Sequence, residues 1–305
     1  MLISTHAMHA TLEAPYVPVQ WTQVVDSPFE TSNIYSVTSN TLNRYVAVGA
    51  LGKVGLSLNG VDWSLQNAGF ESSNIYASGH GDNRYIIGGT FGKMAVSFDG
   101  SSWVQVPSSF GASTILSVDY FEAQNIWIAV GGSGKLATSV DGYSWTQRLS
   151  SFGTSFINNV YTIGGLAIAV GYDGKLATST NGISWTQRTS SFFLSTINSV
   201  SSDPQAPYRY IASGDDGKIA YSDNGTSWTQ VFPSTTFSAS SIKTVAATEE
   251  VFVAAGSLGK LATSPDREGW TQRVSSFGSD TINDIYIQNQ FAVAVGNSGK
   301  IAYST

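Results

Sequence analysis

One unit of about forty residues, written seven times, constrains this chain more than any other feature. Residues 134–148 read GKLATSVDGYSWTQR and residues 174–188 read GKLATSTNGISWTQR. A G-x-x-G-K run closes on Lys53, Lys93, Lys135, Lys175, Lys218, Lys260 and Lys300. After the first six of these a tryptophan follows ten residues on: Trp63, Trp103, Trp145, Trp185, Trp228 and Trp270. A phenylalanine, with an isoleucine five residues later, completes each unit, from Phe29/Ile34 to Phe277/Ile282. Repeats of this period build propellers and solenoids, in which a unit buries its apolar face only against its neighbours.

Within one unit, Ile157 to Thr162, Ala167 to Gly171, Lys175 to Ser179 and Ser184 to Arg188 are short runs rich in Val, Ile, Thr and aromatics, separated by Gly- and Asn-containing breaks. They read as four strands, A to D. The C–D break is Asn-Gly or Asp-Gly in five copies (Asn59-Gly60, Asp99-Gly100, Asp141-Gly142, Asn181-Gly182, Asn224-Gly225), which predicts a tight type I′ hairpin there. Strand B reads AIAVG or AVAVG, so alanines on one side let a neighbouring sheet approach closely. Four-stranded antiparallel sheets stacked face to face are propeller blades.

The two ends of the chain decide between ring and solenoid. Lys300 has no tryptophan after it, and Trp21 has no Gly-Lys before it. Each end thus holds half a repeat, and Trp21 to Val25 can serve as strand D of the last blade, closing the ring without a free sheet edge. The expectation is an all-β, seven-bladed β-propeller over residues 17–305, a single domain, with residues 1–16 a disordered or appended tail.

Composition narrows the function. Charged residues make up 12% and the net charge is −6, so the basic surface needed to grip nucleic acid is missing. Cysteine is absent and histidine occurs only at His6, His9 and His80, which leaves no thiolate chemistry and no imidazole for a metal cluster or serine triad. No apolar run reaches membrane-span length and the N-terminus does not read as a signal peptide. Abundant Ser, Thr, Gly and Asn suggest an extracellular or virion surface.

The C–D hairpins SFDGSSW, SVDGYSW, STNGISW and SDNGTSW resemble the Asp-box of the BNR-repeat propellers, Ser-x-Asp-x-Gly-x-Thr-Trp, with one residue fewer between Ser and Trp. That superfamily includes sialidases, sortilin-type receptors and photosystem assembly factors. The resemblance implies a turn-stabilising role for Asp99, Asp141, Asp266, Asn59, Asn181 and Asn224, and a place between blade edges for Trp103, Trp145, Trp185, Trp228 and Trp270. Two departures stand out. SPDREGW lacks the glycine after Asp266, and the shorter spacing is expected to remove part of the box's hydrogen bonding. The Arg-Ile-Pro motif of sialidases is absent, and the arginines fall at repeat-equivalent places (Arg44, Arg84, Arg209; Arg148, Arg188, Arg273) rather than converging.

Two candidate sites follow. The B–C turns and D–A loops must emerge on one face, so the seven lysines, with Phe110, Phe152, Phe192 and Phe277, could form repeated shallow sites for a glycan or cell-surface polysaccharide. The structural alternative is that each lysine ties down D–A loop carbonyls while the phenylalanine plugs the gap between blades. On the opposite face, the longer A–B segments VDYFEAQNIW and SSDPQAPYRY offer Tyr120, Phe121, Trp127, Tyr208 and Tyr210 as one asymmetric protein-contact patch. The leading reading is therefore a non-catalytic recognition module without cofactors, glycan-binding or attachment in character. The alternatives are an assembly scaffold holding one protein, and a hydrolase of unrecognised type.

Overall fold

The alternation inside the β-rich runs decides how the sheets form and stack. In the computed structural model, which describes residues 17–203, 209–231, 236–248, 250–288 and 290–305, the runs of the fourth unit are strands Ile157–Ile163 (A), Leu166–Gly171 (B), Leu176–Ser179 (C) and Thr186–Arg188 (D). They pair antiparallel in that order. Seven such four-stranded sheets form, and their A strands neighbour one another around a closed ring. The fold is a seven-bladed β-propeller. Blade 7 joins Ile282–Gln288, Phe291–Gly296 and Ile301–Ser304 to the N-terminal strand Thr22–Gln23, which pairs with the chain's last strand through Thr22 opposite Tyr303. That closing ladder is shorter than the expected Trp21–Val25, but Trp21 and Val24 bury their side chains on either side of it. The tail of residues 1–16 lies outside the described residues.

Side-chain size alternates with period two, and the core uses it. Ile168 and Val170 of blade 4 pack with Ala212 and Ala220 of blade 5, while Ala167, Ala169 and Ala177 on the other face of blade 4 receive Ile128 and Val130 of blade 3. Seven such clusters, one between each pair of neighbouring blades, replace a single central core. The repeat tryptophans sit half-buried against these clusters, as the resemblance implied.

Every A strand carries a register break just after its isoleucine, between Ile34 and Ser36 in blade 1 and at the equivalent place in the other six. A bulge leaves an amide outside its own ladder. In blades 1, 4, 5 and 6 the amide of the residue three after the isoleucine is taken up by the preceding blade: Val160 N–H by Ser117 Oγ at 3.3 Å, Val200 N–H by Asn159 Oδ1 at 3.2 Å, Val245 N–H by Ser199 Oγ at 3.2 Å, and Val37 N–H by Asp284 Oδ2 at 3.0 Å. These bonds stitch blade to blade around a central channel of about 600 Å³ lined by the seven A strands.

Candidate functional site

The type I′ turn is present, but at the other hairpin. In the B–C turn of blade 1, Leu51 (φ 57°) and Gly52 (φ 68°) are both left-handed and Lys53 N–H returns to Ala50 O, a geometry repeated in every G-x-x-G-K run. The second central position demands glycine on two counts. At Gly174, with φ 62°, an added Cβ would lie 2.0 Å from Phe193 O. The C–D break is instead a five-residue loop, 58–62 in blade 1, closed by side chains. In blade 4, Gly182 N–H donates to Ser179 Oγ at 2.8 Å, Ile183 and Ser184 N–H both donate to Asn181 Oδ1 at 2.9 Å, and Trp185 Nε1–H donates to Gly182 O at 3.0 Å. The short Ser-to-Trp spacing thus closes the hairpin with four side-chain hydrogen bonds. In SPDREGW, Arg267 adopts the glycine's positive φ (76°) and its N–H still reaches Ser264 Oγ at 2.9 Å. Its guanidinium then anchors on the neighbouring hairpin through Ser222 O and Asp223.

The rim residues predicted to meet a glycan are largely occupied in holding the loops. Lys53, Lys93, Lys135, Lys175, Lys218, Lys260 and Lys300 each donate from Nζ to the carbonyl of the repeat phenylalanine, at 2.6–3.2 Å. Phe110, Phe152, Phe192 and Phe277 are enclosed, with about 1% of their surface exposed, and have no free ring face for a sugar. This corrects their assignment as ligand contacts. Three residues of the asymmetric patch are enclosed as well. Phe121, Trp127 and Tyr210 belong to blade cores, because their strand positions point between sheets rather than outward. Tyr120 is half-buried against Trp127, and Tyr208 lies outside the described residues.

The residue at the first central position of the I′ turn differs from blade to blade, while in the loop after strand D of blade 4 Phe193 is likewise left-handed (φ 57°) and 78% exposed. At the turn position blades 3, 4, 5 and 7 place Ser133, Asp173, Asp216 and Ser298, short polar residues of which aspartate is enriched in the left-handed region. Blades 1, 2 and 6 place Leu51, Phe91 and Leu258, exposed at 59%, 70% and 60%. Each apolar residue carries roughly 1–2 kcal/mol of backbone cost there and gains no burial in return. The G-x-x-G-K pattern leaves this position unspecified. The contrast between GALGK, GTFGK and GSLGK and the other four copies was the available signal.

Behind these tips, blades 1 and 2 present Tyr35 and Tyr76 at the channel mouth, ring centroids 4.6 Å apart. Asn74 connects tip to mouth, accepting from Leu51 N–H at 3.1 Å and donating to the Tyr76 hydroxyl at 3.0 Å. Burial, and then the neighbouring Tyr76, push the Tyr35 hydroxyl above its usual range. Elsewhere the mouth is polar: Asn158, Asn198 and Asn283 each donate to the next blade's isoleucine carbonyl, and Lys243 pairs with Asp215 at 3.7 Å.

Two carboxylates line the channel below the mouth. Asp284 accepts from Val37 and Ile285 N–H and from Ser36 and Thr244 hydroxyls, at 2.9–3.2 Å. Asp119 accepts from Thr162 N–H at 2.7 Å and Tyr120 N–H at 2.9 Å. Loss of hydration outweighs these donors, raising Asp284 and pushing Asp119 up to about 6. Neither forms an ion pair within 4 Å among the described residues. The arginines, by contrast, are structural fasteners. Arg44 and Arg84 reach the C–D hairpin carbonyls of Asp99 and Asp141 in the next blade, and Arg148, Arg188 and Arg273 bind Thr hydroxyls within their own hairpins. Among the described residues no group of His, Asp and Glu could hold a metal ion, and no helix is long and apolar enough to cross a membrane.

No protein-family model matches this chain, and no curated protein matches it. Solved structures do. A structure of YCF48 bound to D1 peptide superposes with a TM-score of 0.75 at 18% identity, covering 96% of each chain. YCF48 from Cyanidioschyzon merolae gives 0.71 at 18% identity, over 93% of this chain and 98% of that one. The likeness at this identity is one of fold. The WD40 propeller domain of Doa1 makes the same point, with a TM-score of 0.73 at 11% identity over 93% of this chain and 97% of its own.

Proposed function

We propose that this protein is a non-catalytic assembly module that docks one polypeptide on the face carrying the G-x-x-G-K turns, over the sector of blades 6, 7, 1 and 2. One observation carries the reading: Leu51, Phe91 and Leu258 are large apolar residues held exposed in left-handed turns where four other blades use Ser or Asp. Local strain combined with exposed apolar surface is a combination that folding alone disfavours and binding rewards. The sector is also asymmetric within a nearly symmetric ring, which suits a single partner better than seven equivalent sites. A fold-alike, YCF48, has been solved with a peptide bound, so propellers of this shape accommodate such a ligand.

A displayed random-peptide selection on the purified chain, counter-selected against Leu51→Asn/Phe91→Asn, tests the reading. Enrichment of peptides that bind the natural sequence and not the variant is expected. Enrichment of peptides indifferent to the two substitutions, or of none, would overturn it.

A further inference from the structure

We propose, resting on the docking reading above, that the sector's central contact is a basic side chain of the bound polypeptide, lysine or arginine, with its stem against Tyr35 and Tyr76 and its cation directed to Asp284. The starting point is a charge the fold does not need. Asp284 stitches blade 7 to blade 1 by accepting from Val37 N–H. At the same repeat position blades 3, 4 and 5 make the same stitch with the neutral Ser117, Asn159 and Ser199. An ionised carboxylate is thus surplus to the structural task, and a carboxylate deprived of water is disfavoured unless a cation approaches it. Its four donors are neutral amides and hydroxyls, which satisfy its lone pairs without neutralising it.

The surroundings fit that cation. Blade 7 sits between Leu258 of blade 6 and Leu51 of blade 1, so Asp284 lies at the middle of the apolar arc. Tyr35 directly precedes Ser36, which donates to Asp284, and the tilted Tyr35–Tyr76 pair stands one residue nearer the mouth. Aromatic faces next to a carboxylate recognise ammonium and guanidinium groups on long aliphatic stems. The cation on this part of the wall, Lys243, is engaged by Asp215, and no pair joins it to Asp284. A lysine side chain fits a channel of about 600 Å³.

The test uses the full chain and four labelled, capped peptides, Gly-Ser-Leu-X-Phe-Gly-Ser, in which X is lysine, arginine, norleucine or glutamate, followed by fluorescence polarisation. The lysine and arginine peptides should bind at least tenfold more tightly than norleucine, with glutamate weakest, and the gap should shrink as salt is raised. Asp284→Asn keeps one oxygen acceptor of the kind Asn159 supplies in blade 4 and places its amide NH2 where the second carboxylate oxygen accepted, so the variant, checked for folding by circular dichroism, should lose the preference. Equal binding by all four peptides, binding by none, or an undiminished preference in a folded Asp284→Asn would each overturn the inference. Should Asp284→Asn not fold, Tyr35→Ala/Tyr76→Ala and the salt series decide the matter on the same criteria. The docking reading stands or falls separately, on the displayed-peptide selection.

Discussion

Leu51, Phe91 and Leu258 are placed where a type I′ turn asks for Asn, Asp or Gly, and the consequence is a trade between stability and binding that single substitutions can expose. Replacing Leu51 and Phe91 by asparagine removes backbone strain and exposed apolar surface together. The double variant is expected to gain stability in denaturant unfolding, by up to about 1–2 kcal/mol per position, while losing affinity for the docked polypeptide. Unchanged or lowered stability would show that the left-handed turns are not strained by these residues. The G-x-x-G-K run was visible in the sequence, yet its second variable residue was not legible as a site. The Asn-Gly and Asp-Gly pairs drew the I′ assignment to the C–D break, where Ser and Asn side chains such as Ser179 and Asn181 build a five-residue loop instead. Likewise Phe121, Trp127 and Tyr210 look like surface aromatics in a list of residues, and only strand register shows them facing the core.

At the level of elements, side chains of the A strands fasten neighbouring blades, at the bulge in blades 1, 4, 5 and 6 and farther along the strand at Thr162, and some fasteners carry a charge the site must desolvate. Asp119 of blade 3 holds Thr162 N–H of blade 4 at 2.7 Å, with its carboxyl pushed up to about 6. A carboxyl raised in the folded state binds its proton more tightly there than in the unfolded chain, whose value lies near 3.9. Its contribution to stability is therefore greatest below about pH 4, declines from there to about pH 6, and is absent above. Asp119→Asn removes this penalty while an amide oxygen can still accept from Thr162. The variant should gain stability over the natural sequence at pH 7 and lose that advantage by pH 4, as read from urea melts at both pH values. An advantage of the same size at both would contradict the assignment. The strands themselves were legible to within two residues from their Val, Ile and Thr content. The stitches were not, because a one-residue bulge changes which side chains meet across blades and leaves no mark in composition.

For the molecule as a whole, the half-repeats at the two ends announced a closed ring, and Thr22–Gln23 beside Ile301–Ser304 supplies the closure. Seven near-equal copies make departures from symmetry informative. The lysine–phenylalanine pairs are the same in every blade and hold the D–A loops, whereas the apolar turn tips, the tyrosine pair and Asp284 gather on blades 6, 7, 1 and 2. The claim that this sector is a single polypeptide-binding site is tested most directly by calorimetric titration of the chain with a peptide from the displayed selection. One site per chain, abolished by Leu51→Asn/Phe91→Asn and unaffected by Lys135→Ala/Lys175→Ala on the far side of the ring, is the expected result. Several equivalent sites per chain, weakened by the lysine substitutions, would contradict it and return the repeated rim to consideration as a glycan surface.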